Sequence, residues 1–135
     1  MVENKLSCVL LIDDDSINNF LNERLLKKLQ ISNAVKTALN GAEGLKYIDQ
    51  HCAIDGGCCP ELVFLDINMP VMDGFEFIRN FRKLDFYNKD KMTVAILTTS
   101  RNEKDIEAMK HLGAYHFVNK PLTAEKVKKV LTDSQ

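Results

Sequence analysis

Short apolar runs alternate along the chain with longer segments of helical period. Residues 8–12, 34–38, 62–65, 94–98 and 115–118 have the length and composition of strands. The first, third and fourth are nearly continuous in Val, Ile, Leu, Phe and Ala. That pattern suits strands covered on both faces, as in a parallel sheet. Between the strands, Ile17, Phe20, Leu21, Leu25 and Leu29 follow the three-and-four spacing of one buried helix face. Asn40 followed by Glu43 reads as a capping pair that opens a helix through Leu45 and Ile48. A third helix is expected from near Asp73-Gly74, carrying Phe75, Ile78 and Phe81. Another runs from near Asn102 to Gly113, a residue suited to a left-handed cap. Thr123 starts the last, with Val127, Val130 and Leu131 turned inward.

Five βα units in succession predict an α/β fold: a doubly wound parallel sheet with helices on both faces, joined by right-handed crossovers. Residues 1–135 read as one domain with its core at about 5–132, and the only long irregular stretch is 50–61. The chain of 135 residues is long enough to bury a core without metals or crosslinks. With 45% hydrophobic residues and a net charge of −1, it has nothing of a disordered chain. Eighteen basic against 19 acidic residues create no field for nucleic acid or acidic membranes, so neither is expected as a partner. No stretch approaches a membrane span, and three carboxylates closing the first apolar run fit no signal peptide. A cytoplasmic protein is expected.

The cysteines change this picture little. Cys8 opens an apolar run and reads as a small buried hydrophobe. Cys52, Cys58 and Cys59 stand near His51, but their spacing is not that of a zinc site. A Cys52–Cys58 disulfide would be out of place in a reducing compartment. The expectation is an insertion loop with free thiols.

Ligands of a doubly wound sheet bind beyond the carboxyl ends of its strands. Those ends carry Asp13-Asp14-Asp15, Asp66, Thr98-Thr99-Ser100 and Asn119-Lys120-Pro121. Carboxylates brought this close repel unless one is protonated or a cation is bound. Hard oxygen ligands at an open rim suit Mg²⁺, which keeps several waters. A divalent ion, a lysine and a hydroxyl beside a carboxylate form a binding set for a phosphoryl group next to a nucleophile. Asp66, in the middle strand, is the natural nucleophile. Alone, each feature has a plainer explanation: an acidic run is usually a solvated turn, a lone Asp after a strand is often a helix cap, and Lys-Pro is common punctuation. Their recurrence at successive strand ends is what carries the reading.

The segments LLIDDDS, LVFLDINMPVMDGFEFI, ILTTS and FVNKP resemble the signatures of the receiver domain of two-component response regulators, in order and over essentially the whole chain. The resemblance implies the flavodoxin-like (βα)₅ fold with strand order 2-1-3-4-5. It also implies that Asp66 accepts phosphate from a sensor histidine kinase or a histidine phosphotransfer protein. By the same pattern Asp13, Asp14, Asp66 and the backbone carbonyl of Asn68 hold Mg²⁺. Thr98 is then the switching hydroxyl, Lys120 the phosphate contact and Phe117 the aromatic switch, with Pro70 and Gly74 shaping the loop after Asp66. Asp15 falls where the family varies and is not counted as a ligand. Two departures stand out: the loop at 50–61 is long, and Phe117 takes the place of a frequent Tyr.

Rival chemistries fit less well. A haloacid-dehalogenase-type phosphatase needs an acid two residues beyond the nucleophile, where this chain has Asn68. A flavodoxin would meet its flavin phosphate with Asp13-Asp14-Asp15, which repels it. A phosphorylation-independent pseudo-receiver scaffold typically lacks part of the acidic pair, the acceptor or the lysine, all present here. The chain is therefore expected to be a phosphoacceptor and not an enzyme with an external substrate. Its end at Gln135 suggests a stand-alone regulator with a downstream protein target, the alternative being a receiver fragment of a longer regulator. Lys126, Lys128 and Lys129 are expected to form a solvated face.

Overall fold

A computed structural model describes residues 6–32, 34–52, 59–67, 72, 74–84, 92–98, 104, 107–108, 110 and 116–133. Five strands, β1 (Val9–Ile12), β2 (Val35–Ala38), β3 (Leu62–Asp66), β4 (Thr93–Thr98) and β5 (His116–Asn119), form one parallel sheet ordered β2-β1-β3-β4-β5. Among the described residues the continuous helices are α1 (Ser16–Leu29), α2 (Gly41–Cys52), α3 (Gly74–Lys83) and α4 (Ala124–Asp133). The helix expected between β4 and β5 falls largely outside the described residues. Of that segment, Lys104, Glu107, Ala108 and Lys110 are helical and exposed.

Alternation along the strands sorts the core into two layers. Val9, Leu11, Phe64, Ala95, Leu97 and Val118 face Leu26 of α1 and Val127, Val130 and Leu131 of α4. Leu10, Ile12, Val63, Leu65 and Ile96 face Ile48 of α2 and Phe77 and Ile78 of α3. Successive side chains of a strand point to opposite faces, so a central strand covered twice must be apolar throughout. All of β1 and the four residues before Asp66 in β3 are buried accordingly, whereas the edge strand β2 exposes Lys36 and Thr37.

Local chemistry sets the helix ends. The Asp15 carboxylate accepts from the N–H groups of Ile17 (2.9 Å) and Asn18 (3.4 Å), which caps α1. At its other end Gln30 takes the left-handed conformation (φ 55°) and donates its N–H to the Lys27 carbonyl. The expected capping pair opens α2: the Glu43 N–H donates to Asn40 Oδ1 (2.9 Å), and the Glu43 carboxylate accepts from the Leu39 N–H (2.7 Å). Thr123 caps α4 through the Lys126 N–H (3.3 Å).

Three expectations are corrected. The buried face of α1 is not the Ile17-Phe20-Leu21 stripe: those residues are 67%, 56% and 54% exposed, while Asn19 and Leu26 are buried. Seven residues make almost two whole turns, so Asn19 and Leu26 lie one above the other against the sheet. Only Leu25 and Leu29 of the expected set pack on that layer. Second, Cys52 and Cys59 are not free thiols but a disulfide with Cα atoms 4.6 Å apart. The fold brings the end of α2 beside the residues leading into β3, a proximity that spacing alone does not reveal. Cys8 lies outside any disulfide among the described residues and is fully buried, as expected. Third, Lys126 is not simply solvated, since its ammonium donates to the carbonyls of Asn119 (2.7 Å) and Pro121 (3.0 Å). Lys128 and Lys129 are exposed.

Candidate functional site

β1 and β3 are adjacent and in parallel register, with Ile12 opposite Leu65. Their next residues, Asp13 and Asp66, therefore emerge side by side at the carboxyl end of the sheet. Both are nearly buried, at 2% and 6% exposure. Asp14 is exposed. One carboxylate oxygen from each of Asp13, Asp14 and Asp66 lies within 4.8 Å of the others. The donors are all hard anionic oxygens, two buried and one open to water, which fits a hexacoordinate divalent ion that keeps part of its water shell. The cluster could hold a metal ion.

Lys120 reaches this cluster from the end of β5, 107 residues away from Asp13 in sequence. Its ammonium donates to Asp13 Oδ2 at 3.0 Å and stands 3.4 Å from Asp66 Oδ1. Burial works against the charge on Lys120. The hydrogen bond to Asp13 and the negative charges of Asp66 and Asp13 outweigh it, and the amine is held above the ordinary lysine value of 10.5. The following peptide, Lys120–Pro121, is cis.

The backbone around the carboxylates is tied down on each side. The Asp13 N–H donates to the Ala38 carbonyl (3.1 Å), and Asp13 Oδ1 accepts from the Asp15 N–H (2.9 Å). Asn19, buried on α1, donates its amide to the carbonyls of Asp13 (3.0 Å) and Ala38 (3.2 Å), joining the ends of β1 and β2. Its Oδ1 is buried with no hydrogen-bond partner among the described residues. The apolar spacing of the helix does not single out Asn19, a polar residue among its buried positions. The available signal was its seven-residue spacing from Leu26. On the other side, the Gly74 N–H donates to the Ile67 carbonyl (2.8 Å), which closes the loop after Asp66. Within that loop Met72 has φ 51°, and its carbonyl oxygen would lie 2.5 Å from a Cβ at Gly41. Only glycine permits that approach.

Thr98 ends β4, the strand beside β3, and pairs in register with Asn119. Its side chain, and Asn68 and Pro70 altogether, lie outside the described residues. Phe117 is half-buried, opposite Ile96 in register, and packs on the layer shared with α2 and α3. Beside Lys120 a groove of about 460 Å³ opens between α1 and the start of α4, lined by Asn18, Leu21, Leu25, Lys120, Pro121 and Leu122 among others.

A doubly wound five-stranded sheet with paired carboxylates and a lysine at its carboxyl rim defines a flavodoxin-like architecture. Residues 9–132 match the response regulator receiver domain. Two-component response regulator 24 of Arabidopsis thaliana is 31% identical over 131 residues, covering 97% of this chain and 85% of that protein. The probable C4-dicarboxylate response regulator DctR of Bacillus subtilis (strain 168) is 29% identical over 123 residues, 91% of this chain and 50% of its own length. Among solved structures, a two-component response regulator from Cytophaga hutchinsonii superposes with a TM-score of 0.85 at 28% identity, covering 97% of this chain and 98% of the other. The chain belongs to the receiver domain family of two-component response regulators, a family of signalling domains. It spans about half the length of relatives such as DctR. No described helix is long and apolar enough to cross a membrane.

Proposed function

We propose that this receiver accepts a phosphoryl group on Asp66 from the phosphohistidine of a sensor histidine kinase or a histidine phosphotransfer protein, with Mg²⁺ as its cofactor. The observation that carries this reading is the convergence of Asp13, Asp14, Asp66 and Lys120 on one rim. An Asp66 oxygen attacks phosphorus, the P–N bond to the donor imidazole breaks, and an acyl phosphate forms. Asp13, Asp14, Asp66 and the carbonyl of Asn68 would hold Mg²⁺, which supplies charge neutralisation for the phosphoryl oxygens. Lys120, already 3.4 Å from Asp66, pairs with one of those oxygens. The chain acts in this reading as a phosphoacceptor, not as an enzyme with an external substrate.

The exposed Ile17, Phe20 and Leu21 favour a protein as the phosphodonor. Leu21 of this stripe lines the groove that reaches Lys120, so a partner covering it would bring its histidine toward Asp66. Large exposed apolar patches mark interaction sites more often than they occur idly. Thr98 and Phe117 transmit the new charge: the Thr98 hydroxyl turns toward the phosphoryl group and the Phe117 ring follows, altering the surface that a downstream protein reads. Residues 1–135 act in the cytoplasm as one receiver unit with a core at about 5–132. The family match over 9–132 supports that extent.

Incubation with Mg²⁺ and acetyl phosphate should add one phosphoryl group, acid-stable and lost in base or hydroxylamine. Asp66→Asn should abolish it, and a modified peptide lacking Asp66 overturns the assignment. Replacing Ile17 and Phe20 by Ser should slow transfer from a phosphohistidine protein while leaving the small-donor reaction unchanged. Thr98→Ala should still take up phosphate, with a weakened amide-exchange response at residues 116–118.

A further inference from the structure

Cys52 is the last residue of α2 and Cys59 leads, through buried Pro60, into β3. Their bond closes a short loop, with a sequence separation of 7. Cys52 is buried in the core layer shared by α2 and α3, and Cys59 packs against the same layer. The crosslink lies toward the amino end of β3, the end remote from Asp66. It nevertheless acts on a helix that reaches the acidic rim. At the opposite end of α2, Gly41 lies against Met72 in the loop after Asp66. Between them, Gly44 lies against Ile12 and Phe77, and Ile48 is fully buried.

In a reducing compartment, disulfides are mostly transient and serve catalysis or redox sensing. The core of this domain needs no staple: both faces of the sheet are covered and Ile48 anchors α2 by packing. A permanent structural role for the bond is therefore hard to assign.

We propose that Cys52 and Cys59 form a reversible redox site, oxidised to the observed disulfide and reduced to two thiols, that controls how firmly the last turn of α2 is held to the start of β3. The proposal rests on the cytoplasmic part of the functional reading. The oxidant is a small disulfide of the glutathione class. One cysteine thiolate attacks it, a mixed disulfide forms and one glutathione thiolate leaves. The second cysteine then displaces the other glutathione, so that two thiols have given up two electrons and two protons. Excess glutathione thiol runs the same steps backward. In the reduced state, the turn keeps the packing of Ile48 and the stacking of Tyr47 on His51 (centroids 4.1 Å apart) but loses its covalent tie.

The full chain, equilibrated in glutathione buffers of increasing oxidised fraction and then denatured and labelled with N-ethylmaleimide, reads the site directly. Of its four cysteines, all should be labelled in the buffer set to the reducing cytoplasmic ratio. In the oxidising buffer, labelling should fall to Cys8 and Cys58, with Cys52 and Cys59 recovered as one linked peptide pair. Amides at residues 49–52 should exchange faster in the reduced form. Cys58→Ser should preserve the transition and Cys59→Ser should remove it. Persistence of the bond in the reducing buffer, its absence in the oxidising one, or a dominant Cys52–Cys58 pairing overturns the proposal. So does identical amide exchange in the two forms. Acetyl phosphate labelling of Asp66 in the same samples tests the receiver reading separately, and cell fractionation tests the compartment.

Discussion

At the carboxyl end of the sheet, oxygens of Asp13, Asp14 and Asp66 crowd within 4.8 Å of one another, with the Lys120 ammonium against Asp13 and Asp66. The amino end is held by neutral backbone bonds: Val9 N–H to Ala34 (2.9 Å), Glu61 N–H to Cys8 (3.0 Å) and Thr93 N–H to Glu61 (2.9 Å). Buried Cys8 and the Cys52–Cys59 bond complete that end. One end gathers three like charges against one paired lysine; the other joins neutral groups. Carboxylates held together without a cation destabilise the fold that holds them. Their presence on rigid strand ends is thus explained by chemistry, and the stability that permits it comes from the layers between.

Breaking the scaffold should give the largest effect. Phe64 is fully buried in the middle strand, and Phe64→Ala should cost about 3–5 kcal/mol, measured by urea unfolding. A loss well below that range would mean the layer relaxes into the space left behind. Gly41→Ala tests the packed part of the carboxyl end. Its Cβ would meet the Met72 carbonyl at 2.5 Å, so a loss of about 1–3 kcal/mol is expected, with weaker Mg²⁺ binding as the loop after Asp66 shifts. Calorimetric titration of the variant would show whether the two losses occur together.

Asp14→Asn should have the opposite sign. Removing one of three clustered carboxylates should leave the metal-free protein equally stable or slightly more so, while Mg²⁺ affinity falls. A destabilised apo variant would contradict the division between the two ends. The smallest effect concerns pH. Because the folded-state pKa of Lys120 is raised, its pairing stabilises the metal-free fold fully below 10.5 and loses that contribution as pH rises through the higher folded value. Wild type should therefore lose more stability than Lys120→Met across that alkaline range. Parallel unfolding curves for the two proteins in chelator would sharpen the comparison.

The chain itself determined the alternation of elements, because periods of two and about three and a half are local properties. Continuous apolar runs at β1 and β3 marked strands covered on both faces, and their order placed Asp13 and Asp66 at one rim. Asn40 and Glu43 could likewise be read as a cap, since capping partners lie within one turn. Tertiary structure decided what depends on distances between remote residues. Apolar positions surround much of α1, and only docking on the sheet chose the Asn19–Leu26 face and left Phe20 outside. The pairing of Cys52 with Cys59, the two carbonyl bonds of Lys126 and the bridge from Asn19 to the ends of β1 and β2 have the same origin. Sequence pattern reports which groups a chain offers; their partners are set when hydrophobic burial fixes helices against the sheet, because that free energy far exceeds any single polar contact.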